Sequence, residues 1–273
     1  FAEISPKTFC LDLNDVKRKI TSKTAAIMLV HMGGYITPDI IKFVNFCNDK
    51  GIYLIEDAAH APGAKVEKTF AGSFGIAGCF SFFPTKVITS GEGGMITTND
   101  EEIQKVARSL QNRGRDMEYK QELYNKPGRN IRMPEISALI GRVQLKNLDK
   151  FLDNRRSVAE IYRKMLHNKS GIKVILPKNI NSSSCWKTII LLDSNLDRDF
   201  IVSRLRSLGI GVDTAYTPPL HLQPVMKEKY YFSEGHLPIT EDLMNRHICL
   251  PSHQSMTEKD AFYISEELLK IIK

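Results

Sequence analysis

Nothing in this 273-residue sequence is built to cross a bilayer, since no apolar run approaches the length of a membrane span and no stretch resembles a secretory leader. Cysteine is sparse and unpatterned. The five cysteines, Cys10, Cys47, Cys79, Cys185 and Cys249, are scattered, odd in number and free of any Cys-x-x-Cys pair. That argues against a disulfide framework or a zinc site and suits reduced thiols in a cytoplasm. The seven histidines form no metal-spaced cluster. His247 and His253 lack helical i, i+4 spacing, and Pro251 between them would break a helix. There is no internal repeat and no low-complexity tract. Net charge is +7, yet lysine and arginine are spread along the chain without a dense basic block or interleaved aromatics. An acidic small molecule such as a diphosphate-linked sugar fits that balance better than nucleic acid, and no membrane partner is expected. No Gly-x-Gly-x-x-Gly precedes the first acidic strand end at the right distance, which counts against a nicotinamide dehydrogenase.

What is present reads as an ordinary folded domain, 42% hydrophobic and 25% charged, with room for one large or two modest domains. Ala25–Val30 and Tyr53–Ile55 read as strands. Between them Thr37-Pro38-Asp39 opens a helix with a cap, a proline in the first turn and an early acid. Ile40, Ile41, Val44 and Cys47 fall on its inner face, and Gly51 closes it. The two strands should therefore be parallel, with a right-handed crossover. Cys79–Phe83 and Met95–Thr98 add two strands, with Gly93 and Gly94 allowing close backbone approach near Lys86. From Pro134 to about His167 the pattern is helical, roughly 50 Å if unbroken. A helix of that length often bridges domains, which places a boundary near residue 150. Beyond it come a strand over Trp186–Leu192, a helix from Arg198 to Leu208 stopped by Gly209, and a final helix capped by Thr257. Arg113 and Arg115 read as the basic C-terminal turn of a helix that Gly114 ends.

The chemistry concentrates around two strand ends. Tyr53-Leu54-Ile55-Glu56-Asp57 is an apolar run ending in acids, as expected where a buried strand emerges at its C-terminal edge. In open α/β sheets that edge binds ligands. Cys79-Phe80-Ser81-Phe82-Phe83 runs into Pro84-Thr85-Lys86 and then a glycine-rich loop. A lysine at the lip of a packed sheet loses its proton readily and becomes a nucleophile toward carbonyls. Asp57, Ser81 and Lys86 together suit pyridoxal 5′-phosphate: a carboxylate for the pyridine nitrogen, a hydroxyl for the phosphate and an amine for the Schiff base.

Several segments carry a family resemblance. Glu56-Asp57-Ala58-Ala59-His60, Phe80-Ser81-Phe82-Phe83-Pro84-Thr85-Lys86, Gly91–Asp100, Gly128-Arg129-Asn130-Ile131-Arg132 and, later, Pro218–Pro224 and Leu250-Pro251-Ser252 resemble the DegT/StrS nucleotide-sugar aminotransferases, in the family's order across most of the chain. The resemblance implies an α/β fold: a mostly parallel large-domain sheet flanked by helices over residues 1–150, and a smaller C-terminal α/β domain over 151–273. It implies that Lys86 forms the Schiff base and moves the proton, that Asp57 pairs with the pyridine nitrogen, and that Ala59 packs on one ring face. His60 would lie beside the phenolic oxygen, where many members have glutamine. Ser81 would bind the phosphate, and Asn130 would reach across a homodimer interface to the phosphate in the neighbouring subunit.

The chain opens inside the family's pattern, so the resemblance also implies a preceding portion of roughly a quarter of the usual length, with the first strands of the large sheet. The implied reaction is ping-pong transfer of an amino group, from glutamate in most of the family, to a nucleotide-linked keto-sugar. Lys86-Val87-Ile88-Thr89 with Gly91-Glu92-Gly93-Gly94 looks like members that aminate C4, whereas C3 members more often carry Gly-Asp-Gly-Gly. Dehydratases on the same scaffold replace the lysine with histidine, which Lys86 opposes. A non-catalytic cofactor-binding protein, or an inactive fragment, is the alternative.

Overall fold

The computed structural model describes residues 1–116, 121 and 123–273. After α1 (Leu13–Lys19), strand β1 (Ala26–Val30) alternates an exposed Met28 with the buried Ile27 and Leu29. Helix α2 (Ile40–Lys50) and β2 (Tyr53–Asp57) follow, and β1 and β2 pair in parallel from Ala26↔Tyr53 to Val30↔Asp57. The small hairpin β3 (Lys65–Val66) and β4 (Thr69–Phe70) leads to β5 (Ala77–Ser81), which pairs in parallel with β2. Strand β6 (Gly94–Thr97) then runs antiparallel to β5, which closes a sheet of order β1-β2-β5-β6. The sheet is therefore mostly parallel, as expected.

The period-2 pattern splits this sheet into two unlike faces. Ile27, Leu29, Leu54 and Phe80 pack with Ile40, Phe43 and Cys47 of α2 in one core. On the other face Met28 and Ile96 are exposed, and Ile55, Asp57, Cys79 and Ser81 are half-buried. Helix α2 departs from expectation at its start. Asp39 rather than Thr37 occupies the cap position, and its side chain makes no capping bond. Its inner face uses Phe43, while Ile41 is exposed. Gly51 does end the helix, in the left-handed conformation that favours glycine.

Helix α3 (Glu101–Gln111) is capped by the Asp100 side chain. It stops before Arg113, so Arg113 and Arg115 lie beyond its end rather than in its last turn. The long helix expected from Pro134 is two helices, α4 (Glu135–Lys146) and α5 (Leu148–Leu166), separated at Asn147. No residue of α4 is buried: Ile136, Leu139, Ile140, Val143 and Leu145 all face outward.

A second sheet has the order β7-β8-β9, all antiparallel, from β7 (Ile172–Ile175), β8 (Thr188–Leu192) and β9 (His247–Leu250). Trp186 and Lys187 precede β8 rather than belonging to it. Helix α6 (Arg198–Ser207) ends before Gly209, which takes a positive φ, as read from the sequence. Helix α9 (Glu258–Ile272) begins at Thr257 with a reciprocal capping box to Asp260, worth roughly 1 kcal/mol. Helices α5, α6 and α9 bury Val158, Tyr162, Leu205, Ile264 and Leu268 against this sheet.

The remaining helices, α7 (Pro224–Tyr230) and α8 (Pro238–Arg246), lie between α6 and β9. The start of α8 is capped from far away in the chain. The Glu3 carboxylate accepts from the backbone N–H of Ile239 at 3.2 Å, from that of Thr240 at 2.8 Å, and from the Thr240 hydroxyl at 2.6 Å. Phe9 likewise packs with Ile189, Leu191 and Leu243. Among the described residues no helix is long and apolar enough to cross a membrane, and no group of three or more His, Cys, Asp or Glu could hold a metal ion.

Candidate active site

The ends of β1, β2 and β5 lie side by side. The His31 N–H donates to the Asp57 carbonyl at 3.1 Å, and the Ala58 N–H donates to Cys79 at 2.9 Å, so the ladder continues past the strands. Beyond β2 the Asp57 Oδ1 accepts from the Ala59 N–H at 3.0 Å, a local Asx turn that sends the chain across the sheet edge. The register then sets the site. Asp57 is opposite Cys79, and Ser81 lies two residues further on, so their side chains share the open face. A cleft of about 210 Å³ forms there, lined by Met28, Ile55, Asp57, Ala59, Cys79 and Ser81. The second Asp57 oxygen, Oδ2, has no hydrogen bond among the described residues.

Glu56 faces the opposite way and is fully buried. It accepts from the N–H of Gly72 at 2.8 Å, Phe74 at 2.6 Å and Gly75 at 2.8 Å, and lies 2.8 Å from His31 Nε2. Burial alone would raise its pKa. The hydrogen bonds from His31, Gly75 and Gly72 outweigh burial and hold the carboxyl below its ordinary value. This anchors the end of β2 from beneath, leaving Asp57 to face the cleft.

Lys86 follows β5 on an excursion closed at both ends. The Ser90 N–H donates to Phe82 at 3.0 Å, the Phe82 N–H donates to Gly93 at 2.9 Å, and the Lys86 N–H donates to Phe83 at 3.0 Å. The side chain is half-buried. Burial pushes the ammonium below its usual range, the nearby Asp57 charge opposes that shift, and Lys187 adds to it. A neutral amine is correspondingly easier to reach.

His60 is buried and stacked on Trp186, with ring centroids 3.8 Å apart at 20°. Its carbonyl accepts from the Ser184 hydroxyl at 2.5 Å. That approach needs Gly34, whose φ is +93°: a Cβ there would lie 2.0 Å from Ser184 Oγ. Burial, with the charges of Lys86, Lys187 and His31, pushes the imidazole down to about 3, so it is neutral near pH 7. Burial, with Asp57 and Asp213, pushes the Tyr216 phenol up. Tyr216 Oη lies 3.1 Å from His60 Nε2. Donation from that phenol puts the remaining imidazole proton on Nδ1, a buried atom with no partner among the described residues.

Pyridoxal 5′-phosphate fits these residues. An unpartnered ring nitrogen at His60, an uncommitted carboxylate oxygen at Asp57 and an amine with depressed proton affinity at Lys86 match the phenolic oxygen, ring nitrogen and aldehyde carbon of that cofactor. The Ser81 hydroxyl is at the cleft and, among the described residues, accepts only a long 3.4 Å bond from the Phe83 N–H. Asn130 is not brought in. It is exposed, pairs with Asn112 in an isolated bridge and precedes α4, outside the cleft lining.

Sequence reasoning missed the residues on the far side of Lys86. Trp186, Lys187, Asp213 and Tyr216 come from segments a hundred or more positions away. Trp186 Nε1 donates to the Thr85 carbonyl at 2.6 Å, and Lys187 pairs with Asp213. Trp186, Lys187 and Asp213, with Thr85, wall a second cavity of about 600 Å³, which Arg155 and Ser252 also line. The one available signal was that Trp186 is the only tryptophan in the chain.

The chain matches the DegT/DnrJ/EryC1/StrS aminotransferase family over residues 1–269. It is 34% identical over 269 residues to the GDP-perosamine synthase of Escherichia coli O157:H7, covering 98% of this chain and 71% of that protein. It is 31% identical to the dTDP-4-dehydro-2,3,6-trideoxy-D-glucose 4-aminotransferase of Saccharopolyspora spinosa, over the whole chain and 72% of that enzyme. Among solved structures, the aminotransferase TlmJ of Streptoalloteichus hindustanus superposes with a TM-score of 0.89 at 29% identity, covering 99% of this chain and 72% of that one. The protein belongs to the DegT/DnrJ/EryC1/StrS aminotransferases, a family of pyridoxal phosphate-dependent enzymes.

Proposed function

We propose that this chain transfers an amino group from glutamate to C4 of a nucleotide-linked keto-sugar, using pyridoxal 5′-phosphate, in the cytoplasm. The observation that carries this reading is the shared open cleft of Asp57, Ala59 and Ser81 beside the loop that presents Lys86. When bound, the cofactor supplies an electron sink for the substrate carbon. Lys86 holds it and then moves the proton; Asp57 keeps a proton on the ring nitrogen. Ala59 packs on a ring face, His60 Nδ1 donates to the phenolic oxygen, and Ser81 binds the phosphate. The similarity to a 4-aminotransferase and the Gly91-Glu92-Gly93-Gly94 loop favour C4; a dTDP-3-amino-3,4,6-trideoxy-alpha-D-glucose transaminase from Micromonospora megalomicea, 31% identical over 261 residues, is the competing precedent. The functional form is a homodimer, with Asn130 serving the phosphate of a second copy and the apolar outer face of α4 as part of the contact. Within each chain, residues 1–150 form the cofactor domain and 151–273 the smaller domain.

The test is to mix the chain with pyridoxal phosphate, reduce with borohydride and map the label by mass spectrometry. Label on Lys86, lost in Lys86→Ala, is expected; label only on other lysines would overturn the assignment. Incubation with glutamate and a nucleotide-linked 4-keto-sugar should then release 2-oxoglutarate and give the 4-amino sugar, and turnover of a nucleotide-linked 3-keto-sugar with none of the 4-keto-sugar would reject the regiochemistry.

A further inference from the structure

The segment that carries Trp186 reaches all three strand ends that build the cleft. Its own segment is knitted to the turn after β1: the Ile36 N–H donates to Ser182 at 2.9 Å, the Ser184 N–H to Gly34 at 3.1 Å and the Lys187 N–H to Gly33 at 3.2 Å. Its ring stacks on His60, three residues past β2. Its indole N–H holds the Thr85 carbonyl at 2.6 Å, the residue immediately before the lysine on the loop after β5. Val87, immediately after the lysine, is buried with Trp186 and Leu152. Lys86 is thus gripped on both sides in sequence. The side chain then folds back, with Nζ 4.6 Å from the centre of the same ring.

We propose that Trp186 is the positioning residue for Lys86: its indole N–H fixes the backbone at Thr85 and its ring holds the amine at the lip of the cleft. The proposal rests on the reading of Lys86 as the amine that captures the cofactor. Several features support it. Trp186 is 7% exposed, so its indole is held in place by packing while its N–H reaches out to the Thr85 carbonyl. A cation over an indole face is attracted to the ring, best for tryptophan among the aromatic side chains. The other charge on this ring, Lys187 Nζ at 5.0 Å, is committed to Asp213. Lys86 has no carboxylate partner within salt-bridge distance among the described residues, and its amine lies over the ring. Asp57 from β2, His60 and Lys187 are the other titratable groups around the amine, and Tyr216 lies on the His60 ring.

Two measurements separate this proposal from the reading beneath it. In the first, wild-type, Trp186→Phe and Trp186→Leu chains with matching circular dichroism are mixed with pyridoxal phosphate, reduced at intervals, and the label on Lys86 is quantified against that on solvent-exposed lysines. Loss of the indole hydrogen bond in Trp186→Phe should slow Lys86 labelling about threefold, and loss of the ring as well in Trp186→Leu about tenfold, with the exposed lysines unchanged. Equal rates in all three chains overturn the proposal. In the second, which needs no cofactor and no variant at Trp186, the emission of the single tryptophan is followed through an alkaline titration in wild type and Lys86→Met. A transition present in wild type and missing in Lys86→Met is expected; superimposable curves overturn the contact. Should wild type fail to label Lys86 at all, the functional reading falls, and the emission titration still decides where the amine sits.

Discussion

Glu56 and Asp57 are adjacent in sequence, and their carboxylates serve opposite faces of one sheet. Glu56 points inward to His31 and three backbone N–H groups. Asp57 points outward and, among the described residues, bonds only the Ala59 N–H. The alternation of a strand makes this automatic: two acids in succession at a strand end become one structural anion and one anion free for a ligand. The inner carboxylate holds the 72–75 turn against the strand and thereby fixes the backbone from which the outer one projects.

Replacing that inner carboxylate tests the anchor. Glu56→Gln should destabilise the chain by about 3 kcal/mol, because an amide cannot accept the four bonds a buried carboxylate accepts. The urea midpoint should fall with little change in slope. The acid limb should change too. The folded Glu56 carboxyl is held below its ordinary value, so its contribution is complete above the unfolded carboxylate pKa and is lost as pH falls through the folded one. The variant should show a shallower loss of stability in that acidic window.

Asp57→Asn leaves shape and packing nearly unchanged but removes the charge facing the cleft. Capture of pyridoxal phosphate on Lys86 should survive. Single-turnover transfer from glutamate, followed by stopped-flow absorbance, should slow about 10- to 100-fold, in line with loss of one charge-assisted hydrogen bond worth about 1.5–3 kcal/mol. An unchanged rate would remove Asp57 from the chemistry.

His60 should stay neutral throughout the physiological range. Its folded pKa is pushed down to about 3 by burial and by Lys86, Lys187 and His31, so protons bind the unfolded chain first as pH drops below the ordinary histidine value. Stability present above that value is lost progressively down to the folded pKa, by roughly 3 kcal/mol at about pH 4. His60→Gln removes the titration, and its stability should decline less steeply over the same interval in pH-dependent chemical denaturation.

Helix α4 offers a direct test of assembly. Leu139 is 61% exposed and lies among Ile136, Ile140 and Val143 on a helix with no buried residue. A charge there costs the isolated chain little, since the position is already in water. Leu139→Glu should convert a dimer to a monomer in sedimentation velocity while the far-ultraviolet spectrum is unchanged.

The parallel strands, α2 and the capped α9 were legible because period, caps and breakers act over a few neighbours. Asp57 and Ser81 were legible as neighbours at one cleft because adjacent parallel strands in register turn sequence position into spatial position, while Ala59 came with the family resemblance alone. The break at Asn147 was not, since the helical period continues through it and only backbone geometry separates α4 from α5. Nor could the pattern say that Ile41 faces water while Phe43 is buried, because both fit an inner stripe until the neighbouring strand fixes the rotation. Trp186 and Tyr216 were invisible as site residues for a different reason. Their partners, Thr85 and His60, are 101 and 156 positions away, and no local rule reports a contact of that separation.

Glu3 carries a mechanical consequence. By sequence it belongs with the first sheet, yet its carboxylate terminates α8, and Phe9 is embedded beside β8. The opening segment therefore serves both sheets: Ala2, Cys10 and Leu11 pack on the first core, and Phe9 on the second. Segment 182–187 is hydrogen-bonded to residues 33–36 as well, so the two sheets are stitched together at places far apart in the chain.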